Sequence, residues 1–486
     1  MSIKILINAV DPEECRIAKV KNNRLEEFHI ESAAREITHG NIYKGIITRT
    51  EPSLQAVFVD YGAERHGFLP RNDIHPDYFQ DTRSGSRSLP NILKRGQEIL
   101  VQVVKDPILK KGSLLTTYIS LPGRHTVLMP GSTKVGVSRK IEDENERTRL
   151  KKIVSQLKLP DGFGLIVRTA GAKCSKTPIL KDIHYLLRLW KNINKEGIKE
   201  KAPALLYKEQ NLVLRSLRDY FTLDVTGILV DDETVFKEVK DFVRLISPKH
   251  TKLTHLYQGD KPIFSKHQLE HQIASIYETR VSLKSGGSIV IESTEALVAI
   301  DVNSGKSTQE KSFEQTAFMT NLEAAEETAR QLRLRDLGGL IIVDFIDMKD
   351  PNHRTDILRA MKNHVKEDKA RTRVGTISRF GLMEMSRQRI RPSIEFGSFE
   401  SCPQCQGKGQ ILSTESLALG FLRKLRLETL KANINTVKGI VPPKIADYLL
   451  NKKRREILDL EQRRGLSITI DSENTLIPGE SKIVCE

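Results

Sequence analysis

Ala296-Leu-Val-Ala-Ile-Asp301-Val-Asn303 and Gly338-Gly-Leu-Ile-Ile-Val-Asp344-Phe-Ile-Asp347 are two short apolar runs, each delivering an aspartate at its far end. Four to six apolar residues bounded by glycine or polar residues read as buried strands. Between them, roughly Ser312 to Leu337, the chain is rich in Ala, Glu, Leu and Arg, which predicts one long helix stopped at Gly338-Gly339. Strand, helix, strand is a crossover unit, so the two strands are expected to run parallel. Asp301 and Asp344 then reach the same carboxyl edge, where open α/β sheets hold their ligands. Two carboxylates there can share one hard divalent cation, which takes oxygen ligands and keeps several waters. Such a cation polarises a phosphoryl oxygen and acidifies a bound water. One strand-end aspartate alone usually caps a turn, but the pair with Asn303 alongside favours a site.

Charge says what that site meets. A formal net charge of +16 on 486 residues favours a polyanionic partner, nucleic acid before anionic membrane. No run of about 20 apolar residues offers a spanning helix. The opening Met1-Ser-Ile-Lys-Ile-Leu-Ile-Asn is too short and polar for a secretory signal and reads as a strand. Five cysteines, scattered except for one pair, argue against a disulfide framework and for a reducing cytoplasm. Length predicts several domains, and the mixture of strands and helices predicts an α/β multidomain protein.

Outward from the centre, residues from about 36 to 118 alternate apolar and polar positions with turns between them, as a small barrel does. Within it, Phe58-Val-Asp-Tyr61-Gly62 and His66-Gly67-Phe68 place aromatics that are either barrel core or stacking platforms for single-stranded bases. Asp81-Thr-Arg-Ser-Gly-Ser-Arg-Ser reads as a surface loop. Farther on, Gly164-Leu-Ile-Val-Arg168-Thr169-Ala-Gly171 is a strand running into a glycine-bounded turn, where guanidinium and hydroxyl can grip a phosphate. Ile183, Leu186, Leu187, Leu189 and Trp190 follow at helical spacing and read as core. His267-Gln-Leu-Glu270-His271 matches an inverted zinc-peptidase pattern on an expected helix near 266 to 278, but no third ligand is identifiable. A solvated helix face is the simpler reading.

Ala370-Arg371-Thr-Arg373 and Ser378-Arg379 through Arg387-Gln-Arg389-Ile-Arg391 concentrate positive charge after the second strand. Cys402-Pro-Gln-Cys405-Gln-Gly407-Lys-Gly409 has the shape of a zinc knuckle, yet a structural zinc needs four ligands. Two chains each donating this pair would complete a four-thiolate site; a redox dithiol is the competing reading. Lys452-Lys-Arg-Arg455 lies in a basic helical tail.

Several strings together resemble the ribonuclease E/G family of bacterial endoribonucleases. They are Asn41-Ile-Tyr-Lys-Gly, Phe58 through Pro70, Gly164 through Gly171, Ser293-Thr-Glu-Ala-Leu, Arg330 through Gly339, Asp344 through Met348 and Cys402-Pro-Gln-Cys405. Length and Val101-Gln-Val-Val-Lys-Asp-Pro resemble the short ribonuclease G branch. The resemblance implies an RNase H-like subdomain in two parts, 1–35 and 213–277, around an OB-fold RNA-binding domain at 36–118 and a 5′-sensor at 119–212. A DNase I-like catalytic subdomain at 278–398, a zinc link at 399–412 and a small C-terminal α+β subdomain at 413–486 would follow.

By the same resemblance, Asp301 and Asp344 would bind magnesium and Asn303 would orient the attacked phosphate or the water. Asp347 would support them from behind. Arg168 and Thr169, with the backbone of Gly123 and Val127, would hold a 5′-monophosphate. Phe58 and Phe68 would contact single-stranded RNA, with Arg371 holding RNA beside the centre. Cys402 and Cys405 would bind zinc shared between two chains, joining a homodimer or tetramer. The implied activity is magnesium-dependent cleavage of single-stranded, A/U-rich RNA to 5′-phosphate and 3′-hydroxyl ends, on rRNA precursors and mRNA in the cytoplasm. A non-catalytic RNA-binding factor working through the barrel is the alternative, with the aspartates as turn caps. The loop after Gly171, Ala-Lys-Cys-Ser-Lys, departs from the Gly- and Ser-containing turn common in the family.

Overall fold

A computed structural model of the chain describes residues 2–32, 38–79, 92–107, 112–157, 159–222, 224–305, 313–389, 393–394, 399–431 and 434–486. The loop expected from Asp81, together with Ser312 and Arg391, lies outside the described residues. Two compact units result, Met1–Ile394 and Glu395–Glu486.

The first unit begins with a hairpin. Ile3–Asn8 pairs antiparallel with Glu14–Lys21, which pairs with Arg24–Ser32. The turn between the last two uses Asn22 and Asn23 at φ 51° and 63°, the left-handed conformation that asparagine tolerates and tight hairpins require. On its other side Ile3–Asn8 runs parallel to Val225–Val230, with Thr254–Leu256 beyond. One five-stranded sheet is therefore assembled from both ends of a long excursion.

That excursion holds two smaller bodies. Ile42–Glu51, Ala56–Asp60, Gly67–Pro70, Leu114–Thr116 and Glu98–Lys105 close into a five-stranded barrel, because Ile42–Ile46 pairs back onto Glu98–Gln102. Ile47, Val57, Val59, Leu69, Val101 and Leu115 fill it. The second body is a four-stranded sheet of Leu121–Pro122, Thr126–Pro130, Phe163–Val167 and Val135–Val137. The helix Lys176–Lys199 packs Ile179, Ile183 and Leu186 on this sheet, with Leu187, Leu189 and Trp190 partly buried beside them.

The opening strands lie in a six-stranded sheet ordered Arg280–Ser282, Ser288–Ser293, Leu297–Asn303, Gly339–Asp344, Leu382–Arg387, Thr372–Ile377. The crossover helix is Phe313–Leu334, ending earlier than the glycines suggest because Asp336 turns left-handed at φ 50°. Ala324, Ala325, Ala329 and Leu332 press one face of it onto the sheet. The other face is polar yet buried, and reaches the strand Arg24–Ser32. Arg330 donates to the Leu25 carbonyl at 2.6 Å, Arg333 pairs with Glu26 at 3.0 Å, and Arg24 pairs with Glu326 and Glu327. The helix expected near 266 to 278 is two short pieces, Ile263–Lys266 and Glu270–Ala274, broken at Gln268 with φ 55°.

In the second unit, helices Thr414–Glu428, Pro443–Lys452 and Arg454–Arg464 pack on the three-stranded sheet Ser467–Ser472, Thr436–Val441, Lys482–Cys485. Phe421, Leu425, Val437, Val441 and Leu449 form its core. Among the described residues no helix is long and apolar enough to cross a membrane.

Candidate nuclease centre

Leu297–Asn303 and Gly339–Asp344 are parallel neighbours in a register that sets Asp301 opposite Asp344. Strand spacing of about 4.8 Å then brings the two exposed carboxylates within reach of one ion. Alternation does the rest. Ile300, Val302, Val343 and Phe345 are buried on the core side, so the intervening aspartates face out. A cleft of about 460 Å³ opens there, lined by Asp301, Asn303, Ser304, Asp344, Asp347 and Phe380 among others. Asn303 Nδ2 donates to Asp301 Oδ2 at 2.7 Å, which fixes the carboxylate and leaves its other oxygen free of that bond. Asp347 lines the cleft itself instead of supporting it from behind.

Partial burial raises the Asp344 carboxyl above its ordinary value, and the nearby Asp301 and Asp347 charges raise it further. Like charges gathered this way oppose ionisation, and a bound cation reverses that penalty. Among the described residues no group of three or more His, Cys, Asp or Glu could hold a metal. An ion here would take two aspartates and complete its shell with water, which suits magnesium better than zinc.

The strand-end loop is clamped from beneath. Fully buried Asn321 donates from Nδ2 to the Ile346 carbonyl at 2.8 Å and accepts from the Ile346 amide at 3.0 Å. Glu314 accepts from the Lys349 amide at 3.1 Å and from His353 Nδ1 at 3.0 Å. Sequence reasoning missed Asn321, which resembles any other residue of a polar helix.

On the barrel, Phe58 and Phe68 are register partners on adjacent antiparallel strands, ring centroids 5.8 Å apart and edge to face. Both are half-buried, with the Arg49 guanidinium 4.7 Å from the Phe58 centroid. Tyr61 is core instead, its hydroxyl on Ser113 at 2.8 Å. Tyr61 is thus barrel core, while Phe58 and Phe68 remain half-exposed on the barrel surface.

Arg168 and exposed Thr169 sit where Phe163–Val167 ends. The Arg168 guanidinium is already engaged, donating to Asp219 Oδ1 at 2.7 Å and to the Gly123 carbonyl at 2.7 Å. The Gly123 amide donates to Thr126 O at 2.8 Å, and Val127 lies in the ladder opposite Ile166. Gly123 admits no side chain: a Cβ would lie 2.5 Å from Asp182 Oδ2, whose carboxylate accepts the amides of Arg124, His125 and Thr126. A phosphate held here would exchange with Asp219 for the guanidinium.

Asp219 also links this turn to the segment that leads into Thr372–Ile377. Its backbone carbonyl accepts from Lys369 Nζ, which lies 2.9 Å from the Tyr220 ring centroid. Burial pushes the Lys369 ammonium down to about 7 against the pull of Glu27 and Asp219. Lys140 donates to the carbonyls of Asp368 and Ala370 at 2.8 and 2.9 Å, and Asp368 accepts from buried Arg387 at 2.6 Å. Exposed Arg371 follows directly, at the start of Thr372–Ile377.

In the second unit, Gln406, Gly407 and Gly409 take φ of 51°, 82° and 71°, curling backbone amides around a sulfur. The Gly409 amide foremost, then the Gly407 amide, the Cys402 thiol and the Lys408 amide, hold the Cys405 thiol below its ordinary value. Among the described residues this pair acquires no third ligand. His267 and His271 do not share a helix, and Glu270 lies 3.3 Å from Arg16, so the peptidase pattern has no site.

Three family profiles match the chain: the ribonuclease E/G family over residues 120–390, the S1 RNA binding domain over 36–105, and the RNase E/G thioredoxin-like domain over 401–485. Ribonuclease E of Haemophilus influenzae is 48% identical over 470 residues, covering 96% of this chain and 50% of that protein. Ribonuclease E of Escherichia coli is 47% identical over 465 residues, covering 95% and 44%. Ribonuclease G of Haemophilus influenzae is 37% identical over 479 residues, covering 97% of both. The chain therefore spans about half the length of the ribonuclease E relatives. Identity runs higher with those two relatives than with ribonuclease G, which goes against the expected closeness to the ribonuclease G branch.

Proposed function

Because the chain belongs to the ribonuclease E/G family, we propose that it is a magnesium-dependent endoribonuclease acting on single-stranded, A/U-rich RNA. The observation that carries the reading is the parallel register of Asp301 and Asp344 at the mouth of one cleft. In this reading the products carry 5′-phosphate and 3′-hydroxyl ends. The substrates are rRNA precursors and mRNA in the cytoplasm. Asp301 and Asp344 hold the ion, with Asn303 fixing the first carboxylate. When bound, the ion supplies positive charge to a phosphoryl oxygen and acidity to a water. Phe58 and Phe68 take bases of the incoming strand and Arg371 a phosphate, so the strand is drawn across the cleft. Arg168 and Thr169 receive a 5′-monophosphate once Asp219 releases the guanidinium. In the same reading the chain carries RNase H-like, 5′-sensor and DNase I-like subdomains. Cys402 and Cys405 of two chains share one zinc and join a homodimer.

The test compares one short RNA bearing a 5′-monophosphate or a 5′-hydroxyl, with and without magnesium. Cleavage should need magnesium, and the monophosphate form should be cut faster by the wild type but not by Arg168→Ala. Asp301→Asn and Asp344→Asn should each abolish cleavage while RNA binding stays within about threefold. Turnover retained in both aspartate variants sinks the assignment. Binding without cleavage at any magnesium concentration would leave the barrel as the working part.

A further inference from the structure

Three aspartates line the cleft around Asp301 and Asp344, and of its apolar lining residues Val302, Phe345, Ile346 and Phe380 only the last is exposed. Phe380 is 69% exposed, yet it lines the same cleft as the aspartates. Isolated exposed phenylalanines are common and need no explanation. The turn that carries this one is held in place. Phe380 sits in the turn between Thr372–Ile377 and Leu382–Arg387, and Leu382 is the register partner of Asp344. Three hydrogen bonds tie that turn: Ser378 N–H to Leu382 O at 2.8 Å, Gly381 N–H to Ser378 O at 3.1 Å, and Phe380 N–H to Ser378 Oγ at 3.2 Å. Gly381 has φ +81°, and a Cβ on it would meet Asp347 Oδ1 at 3.3 Å, so the turn lies directly against the cleft wall. The Arg379 guanidinium lies 4.8 Å from the Phe380 ring centroid.

An acidic cleft can gather a cation and, through it, a phosphate, but it offers nothing to the neutral bases on either side. An exposed aromatic face at the cleft wall supplies that grip, because every base has a π-face and stacking needs no hydrogen-bond code. The stack is available only to a base already out of a duplex, which makes the contact a filter for unpaired nucleotides. We propose that Phe380 is a base-stacking platform for one nucleobase flanking the phosphodiester to be cut. This deepens the nuclease reading and rests on it. The barrel pair Phe58 and Phe68 belongs to a different sheet and holds a different part of the strand.

The experiment uses the full chain, magnesium and a short A/U-rich RNA cut at one bond. Two further versions carry an abasic residue immediately 5′ or 3′ of that bond. The wild type should cut one abasic version roughly tenfold less efficiently in kcat/KM than the intact RNA. Phe380→Ala should cut the intact RNA at that same reduced level and lose nothing more on the abasic one. Phe380→Trp should restore the difference, and circular dichroism should match wild type in both variants. A Phe380→Ala enzyme that still distinguishes intact from abasic RNA overturns the proposal, as does a loss of equal size on all three substrates. Asp344→Asn is assayed in parallel. If it cleaves, the nuclease reading fails; if it is silent while Phe380→Ala behaves as wild type, only the stacking role fails.

Discussion

Replacing Asn321 by leucine keeps the branch at Cγ, at the cost of some added bulk, but removes both hydrogen bonds to the Ile346 backbone, at 2.8 and 3.0 Å. Asn321 is fully buried, so water cannot substitute on its side. Each buried backbone group left unpaired costs roughly 1–3 kcal/mol, so the two give about 2–6 kcal/mol at most, toward the lower end because Ile346 is only partly buried. The loss should appear as a lower midpoint of urea unfolding followed by far-ultraviolet circular dichroism. Catalysis should suffer separately. Ile346 lies between Asp344 and Asp347, and a shift of that loop by even part of an ångström misplaces both carboxylates. We expect kcat to fall roughly tenfold to a hundredfold. A variant with wild-type kcat, or one losing less than about 1 kcal/mol, would mean that Phe345 and Met348 anchor the loop unaided, and the reasoning would fail.

Phe58→Ala and Phe68→Ala should each weaken binding of a single-stranded oligonucleotide by about 1–3 kcal/mol in filter binding, with thermal unfolding close to wild type because both rings are half-exposed. Cys402→Ser with Cys405→Ser should abolish zinc, measured by atomic emission at about half an atom per wild-type chain, and reduce the sedimentation coefficient; unchanged sedimentation removes the shared-zinc arrangement. Asp219, where Arg168, Arg218 and Lys369 outweigh burial, is held at about 2 against an ordinary 3.8. Its folded value lies below its unfolded one, so its contribution of roughly 2 kcal/mol is complete above the unfolded value and lost as the pH falls toward 2. Urea midpoints taken between pH 5 and 3 should therefore drop more for wild type than for Asp219→Asn.

The pairing of the strands that end in Asp301 and Asp344 was legible because glycines, strand length and the intervening helix together point to a parallel crossover. The barrel was legible by alternation, which also explains why Phe58 and Phe68 face outward together while Tyr61 turns in. Asn321 was not, since a helix with polar residues on every face looks solvated until a second body covers it. Glu327, Gln331 and Arg335 are buried for the same reason. The pairing of Arg168 with Asp219 joins residues on different elements that no periodicity connects. The break at Gln268 was hidden because glutamine favours helix, and only its left-handed φ of 55° reveals the stop.

The parallel pairing of Ile3 with Val225 also constrains how the chain can be made. A ribosome adding about 5–20 residues per second needs roughly 10–45 seconds to supply that partner after the first strand has been synthesised. The hairpin from Glu14 to Ser32 can cover one edge of Ile3–Asn8 at once, and the barrel from Ile42 to Thr116 can close on its own meanwhile. The other edge of the first strand waits, an unpaired template open to any passing strand. Newly made chains should be most prone to aggregate in that interval, and ribosome-stalled chains ending before Val225 should show it.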